Sequence, residues 1–390
     1  MAVKPRLQSL IYEVTPRCNH ACLHCYNIWS TPSPIRDLRM GEGWGRGGAW
    51  ESREEGLGDQ ADASPSPICD LHMGEGWGGG AELAPSQALA LLDKALRETD
   101  CPHVTLTGGE PLLRPDLPQI VDFLSRRGVQ STIISNGRLM SEPVVIDLLG
   151  RGAGLFELPL LNHRRTVHDR LSGVAGAFDA VLAGMARIRC HGGQFVAVFV
   201  ATRLNLPDLY DTIRLAFAFG ARALMFNRFN VGGRGLAHVD ELLPSAEEIR
   251  AALAVADAAS AEFGIPISCS IPIQPCLIDT RAFPHLMFGF CAAGTNTAYY
   301  TLDPLGNLRP CNHTSTLLGN LFDEPFADLI APARLADFCQ AAPAFCQACT
   351  QRQVCQGGCK AAAQACFGSL SAEEPFLRYN RAVAHPLLAE

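Results

Sequence analysis

Three cysteines, Cys18, Cys22 and Cys25, stand in the run C-N-H-A-C-L-H-C directly after the apolar residues 10–14. The spacing C-x3-C-x2-C constrains this chain more than any other feature. A cubane iron–sulfur cluster has four irons, so three thiolates leave one iron open to a small molecule that offers an amine and a carboxylate. Electron-carrying ferredoxin sites close with four cysteines instead. The spacing therefore points to a cluster that does chemistry. A zinc site completed by a distant ligand, and plain coincidence, are the competing readings.

Composition narrows the setting. With 390 residues, 48% of them hydrophobic, the chain can bury a substantial core and is long enough for about two or three domains. A formal net charge of −7 gives no electrostatic footprint for nucleic acid. No apolar run approaches the ~18 residues of a membrane span, and residues 1–6 lack the apolar core of an export signal. The 16 cysteines fall in spacings that suit metal sites, so a reducing cytoplasm is expected in place of a disulfide framework.

Residues 30–82 are an oddity. P-S-P-I at 32–35 with M-G-E-G-W-G at 40–45 recurs as P-S-P-I at 65–68 with M-G-E-G-W-G at 73–78, an offset of 33. Stacked repeats need about three copies and an apolar face. Two Gly-, Pro- and Ser-rich copies have little to bury and read as a duplicated, largely disordered insertion, with a lid or partner-binding loop as the alternative. Cys69 aligns with Arg36 of the first copy, so the repeat does not require a thiol there.

Elsewhere, strand-like runs at 10–14, 104–107, 130–135, 154–159, 195–201 and 223–227 alternate with helical patterns at 86–98, 117–127, 142–150, 176–190, 206–219 and 245–263. This α/β alternation predicts a parallel sheet with right-handed crossovers, short of a closed eight-stranded barrel. The cysteine loop follows the first strand, T-G-G-E-P at 107–111 the second, and S-N-G at 135–137 the third. Loops after parallel strands share one face, so the motifs converge on one mouth. Singly, each glycine would pass for a turn. Together, Gly108 and Gly109 allow close backbone approach to a ligand, and Glu110 offers an acceptor for a ligand ammonium.

With Y-E-V-T-P-R at 12–17, these motifs make the chain resemble the radical S-adenosylmethionine (SAM) enzymes, over about 7–26 and 83–235. The resemblance implies a partial (β/α)6 barrel. It implies that Cys18, Cys22 and Cys25 hold a [4Fe–4S] cluster whose open iron is chelated by SAM. By the same resemblance Gly108, Gly109 and Glu110 contact the SAM amino group, and Ser135 and Asn136 lie by its aminoacyl or ribose part. His24 holds a position that is often aromatic in the family, and either flanks the adenine or shapes the loop. One-electron reduction of SAM then yields methionine and a 5′-deoxyadenosyl radical that abstracts hydrogen. The run H-D-R-L-S-G at 168–173 departs from the family's H-D-x-x-R-G, with Ser172 at the arginine position. Arg170 and Arg203 are the candidates for that arginine's polar role, and His168 reads as structural more than catalytic. G-G-R-G at 232–235 either lines the pocket or forms an exit turn.

A second cysteine group runs Cys291-x14-Gly306-x4-Cys311, then Cys346-x2-Cys349-x5-Cys355-x3-Cys359, then Cys366. A structural zinc module is the competing reading. The pattern resembles the SPASM domain, which appends auxiliary iron–sulfur clusters to radical SAM barrels, over about 290–370. Carried over from that family, Cys291, Cys311 and Cys359 would hold auxiliary cluster I, with Cys276 the candidate fourth ligand. Cys346, Cys349 and Cys355 would hold cluster II with a last cysteine. The family's last cysteine follows an acidic-Pro segment, and here E-E-P-F-L at 373–377 puts Leu377 in that place. Cys366 is the expected replacement, with an incompletely ligated cluster II as the alternative. Cys101, Cys190, Cys269 and Cys339 have no partner spacing and default to small buried apolar residues. The expected division is a barrel start at 1–29, the insertion at 30–82, the rest of the barrel at 83–285, a small cysteine-rich SPASM module at 286–370 and a tail at 371–390.

Both resemblances together imply an enzyme that modifies a peptide or protein oxidatively. One or two auxiliary clusters would accept the substrate's electron or bind a substrate thiolate, and an electron donor such as flavodoxin or ferredoxin would reduce the SAM-binding cluster. Tetrapyrrole side-chain modification is the alternative substrate reading. A non-catalytic iron–sulfur protein is the alternative class, and the glycine-rich motif argues against it. With the first cysteine at position 18, no leader-binding domain is expected ahead of it.

Overall fold

The computed structural model describes residues 4–28 and 82–384. Apart from Glu82, the insertion expected at 30–82 lies outside the described residues. The strands are β1 (Ser9–Thr15), β2 (His103–Gly108), β3 (Gln130–Ile134), β4 (Leu155–Pro159), β5 (Phe195–Ala201), β6 (Ala223–Arg228), β7 (Ile267–Cys269), β8 (Leu286–Phe288), β9 (Tyr299–Leu302), β10 (Asn307–Arg309) and β11 (Gly319–Asn320). They form one sheet in the order β11-β10-β9-β1-β2-β3-β4-β5-β6-β7-β8. Pairings from β9 through β1 to β8 are parallel, and β10 and β11 turn back antiparallel.

Sequence pattern explains the layering. In β5, F-V-A-V-F-V-A, Phe195, Ala197, Phe199 and Ala201 are fully buried while Val196, Val198 and Val200 are only half-buried. The same alternation runs through β4 and β6, where Phe156, Leu158, Leu224 and Phe226 are sealed against the helices. A parallel sheet between two helical layers would bury both faces. Here one face of β4 to β6 is sealed and the other is only half-buried. Local signals set the helices as expected. The helix Ala246–Phe263, for instance, starts at a reciprocal capping box between Ser245 and Glu248 and stops at Gly264, whose φ is 65°.

Two features differ from the expected division. The helix Arg165–Ser172 forms over the H-D-R-L-S run, where no element was expected. The sheet also continues past β6, and β9 pairs with β1, so the segment after 286 is built onto the first strand of the barrel. A fully buried ion pair between Glu13 on β1 and Arg309 on β10 fixes that junction. Among the described residues, no single helix is long and apolar enough to cross a membrane.

Candidate functional site

The cysteine loop leaves β1 and is gripped from both sides. From the helix Arg165–Ser172, Ser172 and Leu171 accept backbone hydrogen bonds from Ala21 (3.2 Å) and Leu23 (2.9 Å). Gly173 ends that helix at φ 66°, and any side chain there would collide with the Ala21 carbonyl. On the other side Gly235 donates to the Cys25 carbonyl at 3.0 Å, and a Cβ on Gly233, at φ 49°, would meet the Asn27 and Cys25 carbonyls. Both runs left open by the sequence thus cradle the cysteine loop.

Cys18, Cys22 and Cys25 act on one another electrostatically, and Arg234 acts on all three. Burial pushes Cys18 up to about 11 and raises Cys22 and Cys25 as well, while Arg234 opposes it. Thiols held neutral this way become thiolates on coordinating iron. The sequence reading passed over Arg234, although it sits between the glycines of G-G-R-G.

The three strand-end motifs meet. Gly109 donates to the Thr15 carbonyl at 2.8 Å and Glu110 to the Arg17 carbonyl at 2.7 Å. A Cβ on Gly108 or Gly109 would collide with the backbone of Thr15 or Arg17, so these glycines admit the backbone of the cysteine loop. Glu110 is fully buried. It accepts from the Ser135 hydroxyl at 2.8 Å, the Asn136 amide at 2.7 Å and the Leu112 amide at 3.1 Å. The carboxylate ties the β2 and β3 loops together. Burial raises its pKa to about 7 against these donors. Asn136 reaches Asn19 of the cysteine loop at 2.7 Å, and Asn27 reaches the Gly108 carbonyl at 3.0 Å.

His24 is half-buried, its buried Nδ1 has no hydrogen-bond partner, and desolvation, with His168, lowers its pKa to about 4. His168 packs edge-on against Phe178 and contacts the Pro159 carbonyl at 3.3 Å, in keeping with a structural part. Glu157, on the half-buried face of β4, is raised to about 7 by burial alone.

The C-terminal cysteines fall into two groups, divided differently from the expectation. Cys291, Cys311 and Cys359 act on one another and on half-buried Tyr299. Cys366 acts with Cys359, not with Cys346, Cys349 or Cys355. Cys276 acts with Cys346, Cys349 and Cys355, and all four line one cavity of about 600 Å³ together with Leu377. Cys339 is only half-buried beside Cys291 rather than sealed in the core. Among the described residues, no group of three or more His, Cys, Asp or Glu could hold a metal ion. A cubane puts each thiolate on a different iron and therefore asks for thiols set wider than the donors of one ion.

One carboxylate organises this region. Buried Glu374 pairs with buried Arg228 at the end of β6, accepts from the Gln274 amide, and accepts from the Cys359 backbone at 3.1 Å. Nearer the mouth, the Tyr26 and His313 rings meet at a tilt of 35° with centroids 3.9 Å apart, and Asn312 donates to the Tyr26 hydroxyl at 2.8 Å.

Residues 12–216 match the family model of the Radical SAM superfamily. The PqqA peptide cyclase of Xanthomonas campestris pv. campestris (strain 8004) is 26% identical over 392 residues, covering 99% of this chain and 90% of the relative. An AdoMet-dependent heme synthase of Methanosarcina barkeri (strain Fusaro / DSM 804) is 26% identical over 324 residues, covering 77% and 88%. The crystal structure of Streptococcus suis SuiB bound to precursor peptide SuiA shares the fold, with a TM-score of 0.64 at 13% identity over 95% of this chain and 76% of that one.

Proposed function

Because this chain belongs to the radical SAM superfamily, we propose that it uses a radical generated from SAM to modify a peptide or protein substrate oxidatively. The observation that carries the reading is the convergence of Cys18, Cys22 and Cys25 with the Gly108–Glu110 and Ser135–Asn136 loops. When bound, the [4Fe–4S] cluster supplies the electron that cleaves SAM. The chain's own contribution is positional. Gly173 and Gly233 hold the loop, Arg234 favours its thiolates, and Glu110 fixes Ser135 and Asn136 beside it. The thiol sets Cys291, Cys311, Cys359 and Cys346, Cys349, Cys355 would each hold an auxiliary cluster. An external one-electron donor, such as a flavodoxin or ferredoxin, and a cytoplasmic setting complete the reading.

The peptide preference rests on the named activity of the cyclase relatives. Similarity at the same level to a heme synthase favours a second reading, the oxidation of a tetrapyrrole side chain. Reconstituted chain given SAM and dithionite should form 5′-deoxyadenosine, and the Cys18→Ala, Cys22→Ala, Cys25→Ala triple variant should not. Undiminished product in that variant would sink the assignment. Mass spectrometry then separates substrates: a peptide lighter by two hydrogens supports the first reading, and a tetrapyrrole that has lost carbon dioxide supports the second.

A further inference from the structure

Among the described residues, the thiols outside the SAM loop can be placed by what surrounds them, and one placement is unexpected. The cavity between Cys346, Cys349 and Cys355 has a fourth thiol on its wall, and it comes from far upstream: Cys276. Leu377 lines the same cavity from the C-terminal helix Pro375–Ala384. A leucine cannot ligate iron, so that wall offers an apolar side chain where a thiolate would close the set. Cys366, nearer in sequence, is engaged on the other side, with Glu374 and Cys359.

From this juxtaposition we propose that Cys276 is the fourth ligand of a cluster held by Cys346, Cys349 and Cys355, standing in for the side chain at position 377. The proposal rests on the auxiliary-cluster reading above. Three observations support it.

The first is the donor set. Four thiols around a cavity of about 600 Å³ suit a cubane that is larger than a single ion and takes one thiolate per iron.

The second is how Cys276 is held. Leu277 and Ile278 donate to the Gln274 carbonyl at 2.9 and 3.1 Å, which closes a tight turn around Cys276. The Gln274 side chain is fully buried and bonded to Glu374, the residue that opens the Glu-Pro segment ahead of Leu377. The turn that carries the thiol is thus fastened to the element whose own side chain cannot ligate. Such fixing is what a preorganised ligand needs.

The third is charge. A cubane with four thiolates is anionic, and Arg352 lines the cavity while the Arg381 guanidinium acts on Cys276 from beside the Phe345 ring, 3.8 Å from its centroid. Glu373 opposes it and is itself paired with Arg381.

The test uses full-length chain, reconstituted anaerobically, with iron and sulfide counted per chain and the reduced clusters followed by EPR. Cys276→Ala should lose about four irons per chain and one EPR signal, while keeping the signal of the Cys18, Cys22, Cys25 cluster, which reports a folded barrel. Cys276→Ser should keep the iron but shift that one signal, as an oxygen ligand does. The double variant Cys276→Ala, Leu377→Cys should restore both iron and signal, because it returns a thiol to the same cavity. Unchanged iron and EPR in Cys276→Ala would overturn the proposal, and so would loss of this signal in Cys366→Ala. If the parent chain takes up no iron beyond the SAM-loop cluster, the auxiliary-cluster reading fails and the proposal fails with it, a result distinct from an unchanged Cys276→Ala.

Discussion

Arg234 draws Cys18, Cys22 and Cys25 toward thiolate, burial pushes them the other way, and burial is the larger effect. Removing the charge leaves only the opposing effect. Arg234→Gln is therefore expected to weaken iron retention in the loop by about 10–100-fold, the usual cost of losing a supporting group around a metal site. A chelator titration followed at the cluster's absorbance would measure it. Glu157 offers a cleaner electrostatic test, since burial alone raises its carboxyl from 4.5 to about 7. Between those values the folded chain holds a proton that the unfolded chain has released, so stability falls as pH rises through the window and stays low above it. Glu157→Gln should remove that fall and stabilise the chain at pH 8 by about 1–3 kcal/mol. Thermal melts of both proteins at pH 5 and pH 8 would show it, and equal pH dependence in the two would refute it.

At the scale of elements, the helix Arg165–Ser172 serves as a clamp for the cysteine loop, and Gly173 is where the two touch. Gly173→Ala adds a Cβ at a left-handed position against the Ala21 carbonyl. A cost of about 1–3 kcal/mol is expected, along with lower occupancy of the SAM-loop cluster, read from melting temperature and iron per chain. That helix was not visible in the sequence, where its mean polarity and the H-D motif masked an eight-residue element. The barrel strands were visible because β1 to β6 are apolar runs bounded by turns. Strands β7 and β8 have three residues each, too few to show any period. Motif spacing found the thiols, while the structure sets Cys276 on the cavity of Cys346, Cys349 and Cys355. Cys366 is close to Cys359 in sequence and stays close in space, whereas Cys276 crosses to the other group because the Gln274–Glu374 bond carries its turn there. Spacing encodes local pairing, and a contact 100 residues long has no local signature.

At the scale of the molecule, the Glu374 carboxylate joins β6, the Gln274 turn and the Cys359 backbone. Glu374→Ala would strand Arg228 as an unpaired buried charge, and a loss of about 3–5 kcal/mol is expected. Glu374→Gln keeps an acceptor and should cost less. Melting temperatures rank the two, and the same order in iron content would tie assembly of the C-terminal groups to barrel stability. The contact of Tyr26 with His313 has a different consequence. Tyr26 directly follows Cys25 and His313 lies two residues past Cys311, so the ring contact joins two cysteine loops that are 286 residues apart along the chain by the Tyr26–Asn312 bond. Electron tunnelling slows steeply with every ångström of empty space, and packed rings shorten that space. Were both loops to hold clusters, this ring contact would give an electron a path through packed protein atoms in place of open space.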